Sequence, residues 1–217
     1  ISPQYQYRLR RCKLCALKIP DMNIYHYLFL TCFLLPPDTC DLTMDPNTAH
    51  KLVVLSEDNR KVSQATKEQP YPNHTDRFDY WAQVLFEQGL TGRCYWEVEW
   101  EGNWAGIGVT YKGILRKGPD NDCVMGYNAI SWSLHCSVHG YRAYHDFKSI
   151  VHQVPLGDSR TLAVYLDWEA GILSFYRVSS GGSLTHIHTF YNNFTEPLYP
   201  ICRVWGKGSS VSLCKVK

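Results

Sequence analysis

Residues 162–178 constrain the fold most strongly, because they contain two apolar runs separated by a short polar break. The runs, at residues 162–166 and 172–176, are rich in leucine, β-branched and aromatic side chains, which is typical of strands. The break ends in Gly171, and glycine readily adopts the positive φ that a tight hairpin turn requires. Nearly every residue of the first run is apolar, whereas apolar and polar residues alternate in the second. The stretch therefore predicts a central β-hairpin in a protein with two layers of sheet.

The strand pattern recurs along the chain from residue 41 onward. Residues 94–101, CYWEVEWE, alternate apolar side chains with three glutamates, Glu97, Glu99 and Glu101, which predicts a strand with one buried and one solvated face. About a dozen short apolar runs follow one another, separated by turn signals. The 15 glycines and 11 prolines are spread through the sequence. We therefore expect an all-β fold, a sandwich or barrel, rather than a parallel sheet with helices.

The charges are nearly balanced outside the first forty residues. The net charge is +2, and residues 41–217 contain seventeen basic and eighteen acidic side chains. Because nucleic-acid binding depends on clustered basic residues that neutralise phosphates, this balance argues against a nucleic-acid partner. The 9 cysteines are odd in number and have no framework-like spacing. They favour reduced thiols in a cytoplasmic setting over a disulfide scaffold.

Residues 1–40 differ in character from the rest of the chain. A basic segment precedes an apolar run at residues 25–35, which is much shorter than the roughly 20 residues of a membrane helix. A membrane anchor and a signal peptide are therefore disfavoured, and we expect this leader to be disordered or to derive from an intron. Cys12 and Cys15 have a Cys-x-x-Cys spacing, but the sequence lacks the second such pair that would complete a zinc site. Since the sequence starts without Met, we expect a fragment whose upstream domains are missing.

Several longer motifs resemble one family. The segment DLTMDPNTAHKLVVLSEDNRKV, which starts at residue 41, resembles a PRY segment, and GRCYWEVEW, LDWEAGILSFYRV and GSSVSLC resemble an SPRY body. The chain is thus similar to the PRY–SPRY (B30.2) family, with residues 41–92 as PRY and residues 93–217 as SPRY. The likeness extends to the fish-type copies in tripartite-motif ubiquitin ligases, NOD-like receptors and stonustoxin-like proteins. It implies a bent sandwich of two antiparallel sheets with protein-binding loops at one end, and no catalytic centre or cofactor.

The resemblance also implies a recognition role. We expect a non-enzymatic C-terminal domain of a cytoplasmic innate-immunity protein, either a tripartite-motif ligase or a NOD-like receptor. Its partner would be a protein ligand, not nucleic acid or a membrane, and oligomerisation would depend only on upstream domains. The alternative is the corresponding domain of a secreted, stonustoxin-like pore-forming protein, in which the sequons at Asn73 and Asn193 would be glycosylated.

The expected ligand face combines family positions with aromatic residues at the junctions of loops and strands. The positions that match the ligand face of the family are Trp104, Ala105, Ser131, Ser133 and Trp205. Tyr80 and its neighbour Trp81 lie at such a junction, and exposed aromatic residues at loop ends are interface candidates; we include Tyr80 in the site. The small residues of this set predict a shallow floor beside a single aromatic wall.

Other functional interpretations have simpler explanations. Carboxylates such as Glu99 and Asp167 would suit a glycosidase, but strand alternation and turn chemistry account for them. His186 and His188 lie two residues apart, with other histidines scattered nearby, but a zinc site requires three or four convergent ligands. Nothing in the sequence identifies a base that would activate Cys136 as a nucleophile. We therefore expect no metal, cofactor or catalytic residue.

Overall fold

The computed structural model describes residues 39–215 of the 217-residue chain. Thirteen strands and one short 3-10 helix, Asn121–Cys123, lie in this part of the chain. The strands are β1 (Val53–Ser56), β2 (Lys61–Gln64), β3 (Gln83–Leu85), β4 (Arg93–Glu101), β5 (Trp104–Tyr111), β6 (Ser131–Ser137), β7 (Gly140–His145), β8 (Lys148–His152), β9 (Thr161–Asp167), β10 (Ile172–Val178), β11 (Leu184–Tyr191), β12 (Leu198–Val204) and β13 (Ser210–Leu213).

The strands form two antiparallel sheets that enclose a common hydrophobic core. One sheet has seven strands in the order β1-β2-β13-β4-β9-β10-β11, and the other has six in the order β3-β12-β5-β6-β7-β8. This arrangement confirms the all-β, two-sheet sandwich predicted from the sequence. β2 pairs with β13 and β3 pairs with β12, so the first three strands are divided between both sheets.

The core is built from alternate residues of the facing strands. β4 directs Trp96 and Trp100 inward, and β5 directs Ile107 and Val109 inward from the opposite sheet. All four side chains are almost completely buried. The glutamates of β4 lie on its other face, partly or fully exposed. The inside and outside predicted for this strand are therefore confirmed.

β9 and β10 form the predicted hairpin, and β9 also pairs with β4 near the centre of the larger sheet. Gly171 occupies the turn with a φ of 70°. A Cβ at this position would lie 2.0 Å from the backbone oxygen of Asn192. Both the backbone conformation and the close approach therefore require glycine. Past the turn, Phe175 of β10 is fully buried in the core.

A disulfide joins Cys40 to Cys94 of β4, which corrects the expectation that the cysteines are reduced thiols. The two residues meet because Thr39 forms an isolated parallel bridge with Tyr95, next to the start of β4. The backbone N–H of Cys40 also donates to the carbonyl oxygen of Tyr95, at 3.3 Å. Four other cysteines in the described part of the chain are free.

Residues 39 and 40 belong to the leader predicted at residues 1–40, but a backbone bridge and the disulfide join them to β4, so the leader is not disordered there. The predictions for residues 1–38 lie outside the described residues. They comprise the disordered or intron-derived leader, the disfavoured membrane anchor and signal peptide, and the Cys12 and Cys15 pair.

Phe175→Ala should destabilise the domain by about 3–5 kcal/mol, because it removes a fully buried aromatic side chain and leaves a cavity. The control is Glu99→Ala on the exposed face of β4, which should change the free energy of unfolding by less than about 0.5 kcal/mol. Equilibrium unfolding in urea, followed by tryptophan fluorescence, measures both effects. Equal losses would contradict the assignment of inner and outer strand faces.

Candidate partner-binding groove

The outer face of the six-stranded sheet bears a row of residues on four neighbouring strands. The strand registers place Arg203 of β12 opposite Gly106 of β5, Gly106 opposite His135 of β6, and His135 opposite Arg142 of β7. Side chains alternate along each strand, and the neighbour of Gly106, Ile107, belongs to the core. The row therefore points away from the core and presents two arginines and a histidine at one level of the sheet.

Trp104 fills the position above Gly106. It lies two residues earlier on the same face of β5, and a Cβ at Gly106 would be only 3.1 Å from the Cη2 atom of its ring. The ring meets His135 edge-on, with 4.8 Å between the ring centroids. The missing side chain at Gly106 thus allows the indole to lie close against the sheet.

The guanidinium of Arg203 contacts two tryptophan rings. Its Cζ atom is 4.5 Å from the ring centroid of Trp81 and 5.2 Å from that of Trp104, which are cation–π distances. Burial lowers the pKa of Arg203, while Tyr127 acts in the opposite direction. Arginine nevertheless stays charged at neutral pH, so this position holds a partly desolvated positive charge.

The β5–β6 loop, residues 112–130, covers another part of the same outer face. Gln83 of β3 is fully buried and fixes this loop. Its Nε2 donates to the carbonyl oxygen of Cys123 at 2.8 Å, and its Oε1 accepts from the N–H of Met125 at 2.9 Å. Met125 also packs against Ile201 in a small hydrophobic cluster outside the main core. Polar and apolar contacts together hold the loop on the sheet.

Two tyrosines form a wall beside the row. Tyr127 of the β5–β6 loop stacks on Tyr144 of β7, with 5.1 Å between ring centroids. Tyr144 in turn lies 4.2 Å from the ring centroid of His135, and its hydroxyl accepts a 3.4 Å hydrogen bond from Arg142. Burial first, and then the hydrogen bond with Tyr144, raises the pKa of Tyr127. The Tyr127 hydroxyl therefore stays protonated at neutral pH.

His135 is a neutral polar group at this site. Its side chain is only 7% exposed. Burial, followed by the charges of Arg203 and Arg142, lowers the pKa of His135 to about 3. Among residues 39–215, its Nε2 atom has no hydrogen-bond partner. An unpaired buried polar atom is costly, so this arrangement is unfavourable for as long as the atom has no hydrogen-bond partner.

These residues surround a groove of about 330 Å³, which we call the aromatic groove. It is lined by Trp81, Trp104, Tyr127, His135, Tyr144, Arg203 and Trp205. None of these seven lining residues has a carboxylate. The groove is thus aromatic and basic in character.

The structure brings some of the sequence-predicted site residues to this groove. Trp104 and Trp205 line it, and Trp205 is 65% exposed just after the end of β12. Tyr80 is 57% exposed and packs edge-on against Trp81, with 5.0 Å between ring centroids. These three aromatic residues therefore lie in or beside one concave surface.

Three other predicted site residues, Ala105, Ser131 and Ser133, are fully buried. Ala105 faces the core because it alternates with Trp104 along β5. Ser131 lies under the β5–β6 loop, where its Oγ accepts from the N–H of Gly126 and donates to Asn128, both at 2.7 Å. The expectation of a shallow floor of small residues beside one aromatic wall is therefore wrong.

Sequence reasoning did not single out Tyr127, His135, Tyr144 or Arg203 as site residues. For His135 the alternation along β6 provides a signal, because this residue lies on the same outward face of the strand as Ser131 and Ser133. Arg203 is likewise a polar residue between buried neighbours in β12. No local pattern identifies the two tyrosines, because one belongs to an irregular loop and the other pairs with it across space.

The structure also places the groups considered for other activities. Cys136 lies in the core, and burial raises its pKa well above the ordinary value, so it is not a reactive thiolate. Across residues 39–215, three or more histidine, cysteine, aspartate or glutamate side chains do not come together in an arrangement that could hold a metal ion. Within the same part of the chain, no helix has the length and apolar character needed to span a membrane.

Both halves of the sandwich match family models. Residues 42–90 match PRY, the SPRY-associated domain, and residues 93–216 match the SPRY domain. The chain therefore belongs to the PRY–SPRY family. SPRY domains are protein-interaction modules and are generally non-catalytic.

Relatives occur among toxins and tripartite-motif proteins. Stonustoxin subunit beta of Synanceia horrida is 44% identical over 162 residues, which cover 74% of this chain and 23% of the relative. Tripartite motif-containing protein 16 of Mus musculus is 44% identical over 164 residues, which cover 74% of this chain and 29% of the relative. This chain thus spans about a quarter of the length of the curated relatives it matches.

Two solved structures are similar to the sandwich described here. The stonustoxin structure aligns with a TM-score of 0.73 at 40% identity, and the alignment covers 81% of this chain and 27% of that chain. The TRIM65 PSpry domain aligns with a TM-score of 0.71 at 25% identity, and the alignment covers 92% of this chain and all of that chain. The same fold therefore occurs in both groups of relatives.

The lowered pKa of His135 predicts a pH dependence of stability. The unfolded chain binds a proton on this residue near its ordinary pKa of 6.5, whereas the folded protein does so only near 3. The free energy of unfolding is therefore highest above pH 6.5 and decreases as the pH falls from 6.5 towards 3. For a pKa lowered from 6.5 to about 3, linkage gives a loss of about 2 kcal/mol in the free energy of unfolding between pH 7 and pH 5.

Urea unfolding of the parent and of His135→Gln at both pH values measures this effect. The variant should lose less stability than the parent between pH 7 and pH 5, by about 2 kcal/mol. The same pH dependence in both proteins would contradict the desolvated environment of His135.

Proposed function

We propose that this chain is a non-catalytic recognition domain that binds a segment of a partner protein in the aromatic groove. The observation that supports this most directly is the concentration of tryptophan, tyrosine and arginine around one concave surface. These residue types dominate the energetics of protein interfaces, because large side chains bury much area and combine apolar with polar contacts. Membership of the SPRY family supports the same role.

The aromatic surface beyond the groove favours a protein partner over a small molecule. Trp205 and Tyr80 are 65% and 57% exposed, and exposed apolar surface of this kind is often functional. A small ligand confined to the groove would leave Tyr80 in water. A polypeptide that crosses the groove can cover both aromatic side chains.

The relatives also bear on the cellular role. We infer that the domain is the C-terminal recognition part of a cytoplasmic innate-immunity protein of the tripartite-motif or NOD-like-receptor type. The 44% identity to tripartite motif-containing protein 16 supports a full-length protein of the tripartite-motif type. Because the chain spans about a quarter of its curated relatives, ligase, nucleotide-binding or oligomerising activities would belong to other parts of a longer protein.

A secreted, stonustoxin-like parent is the second candidate. The Cys40–Cys94 disulfide favours it, since disulfides persist in oxidising compartments. The sequon residues Asn73 and Asn193 are both exposed. Treatment of the native protein with an N-glycosidase distinguishes the two parents. A loss of mass would support secretion, whereas an unchanged mass together with free thiols at Cys40 and Cys94 would support the cytoplasm.

The groove is tested with linear peptides selected on the domain from a display library. Trp205→Ala should weaken the binding of the selected peptides by about thirtyfold or more. This loss corresponds to the roughly 2 kcal/mol of binding free energy typical of an interface hot spot. The fold should be retained because Trp205 is exposed; circular dichroism and thermal melting check this. Fluorescence anisotropy with purified proteins measures the affinities.

The matched control is Tyr191→Ala, which removes an exposed aromatic side chain from β11 in the other sheet. This variant should bind the peptides as the parent does. Peptides that bind the folded Trp205→Ala protein as tightly as the parent would show that the binding site lies elsewhere.

A further inference from the structure

Arg203 is a charged group that lacks a counter-ion among the described residues. Its guanidinium contacts the rings of Trp81 and Trp104. Within residues 39–215 it makes no ion pair, and its Nε–H has no hydrogen-bond acceptor. By contrast, the buried Arg77 donates to several carbonyl oxygens, including that of Ala49 at 2.6 Å. Arg203 is therefore held in place by its aromatic neighbours, while its Nε–H donor remains unsatisfied among the described residues.

The surroundings of Arg203 add positive charge and no negative charge. None of the seven lining residues has a carboxylate. Arg142 lies in the same cross-strand row, and the charges of both arginines act on His135. His135 is itself neutral and has an unpaired Nε2 atom. The groove thus disfavours cations and favours an anionic group next to Arg203.

A carboxylate matches this arrangement chemically. The guanidinium presents its N–H donors in a planar fork that fits the two oxygens of a carboxylate. The guanidinium is partly desolvated where it contacts the two tryptophan rings, which strengthens a charge-assisted hydrogen bond formed there. A bound carboxylate would supply the acceptors that Arg203 lacks.

We propose that the aromatic groove recognises a protein segment in which an aspartate or glutamate is flanked by apolar residues, with the carboxylate paired to Arg203. This inference rests on the proposed function and specifies the chemistry of the partner. A side-chain carboxylate is assigned rather than a chain terminus, because exposed aromatic surface continues beyond Arg203 at Trp205 and Tyr80. Residues next to the acid therefore have apolar surface to cover.

The test uses the display-selected peptides, synthesised with amidated C-termini. Each is made in its acidic form and in a form with the aspartate replaced by asparagine or the glutamate by glutamine. The amide form should bind the parent domain at least about thirtyfold more weakly, because it leaves a desolvated charge unpaired. On Arg203→Gln the two forms should bind equally, since the charge that distinguishes them has been removed.

The matched control is Arg160→Gln. Arg160 also lies over a tryptophan ring, 4.7 Å from the ring centroid of Trp100, but outside the aromatic groove. This variant should keep the preference of the parent for the acidic peptide. The comparison of acid and amide forms on the parent domain tests the inference even where Arg203→Gln fails to fold.

The outcomes separate this inference from the proposed function. If peptide binding requires Trp205 but the acidic and amide forms of each peptide bind equally tightly, the inference is overturned and the proposed function stands. Peptides that do not depend on Trp205 would overturn both. Binding that requires a free C-terminal carboxylate in place of the C-terminal amide would overturn the assignment to an acidic side chain.

Discussion

The alternation of side chains along β5, β6 and β12 is the constraint on which both the core and the aromatic groove depend. In each strand one set of residues packs between the sheets and the other faces outward. Arg203, Gly106 and His135 lie in register in the outward set, so the backbone hydrogen bonds of the sheet also fix the spacing of the groove. A slip of one residue would exchange the two sets. The correct register is therefore a condition for forming the groove.

Sequence periodicity predicts a strand well when one of its faces is buried. The sequence predicts β4 and the hairpin of β9 and β10 because apolar alternation directly reflects burial. It does not predict β8, an edge strand whose first four residues are exposed, since exposed strands have no burial pattern. It also gives no sign of the disulfide between Cys40 and Cys94. That bond depends on a bridge beside β4 and joins residues 54 positions apart.

The groove is harder to predict because it is assembled from distant segments. The family resemblance indicates a region that includes Trp104 and Ala105. Only the orientation of β5 in the folded sheet decides that Trp104 faces outward and that Ala105 faces the core. The tyrosine wall depends on a loop that Gln83 holds through two hydrogen bonds with backbone groups. That loop also covers Ser131. Such long-range contacts leave no local pattern in the sequence.

The absence of a side chain at Gly106 bears on how a surface of this kind diversifies. Trp104 lies over this position, and a β-carbon there would be 3.1 Å from its indole, so the ring would have to shift by a few tenths of an ångström. Among proteins that share this sandwich, the residue at this one position can therefore change the shape of the groove while the scaffold stays the same.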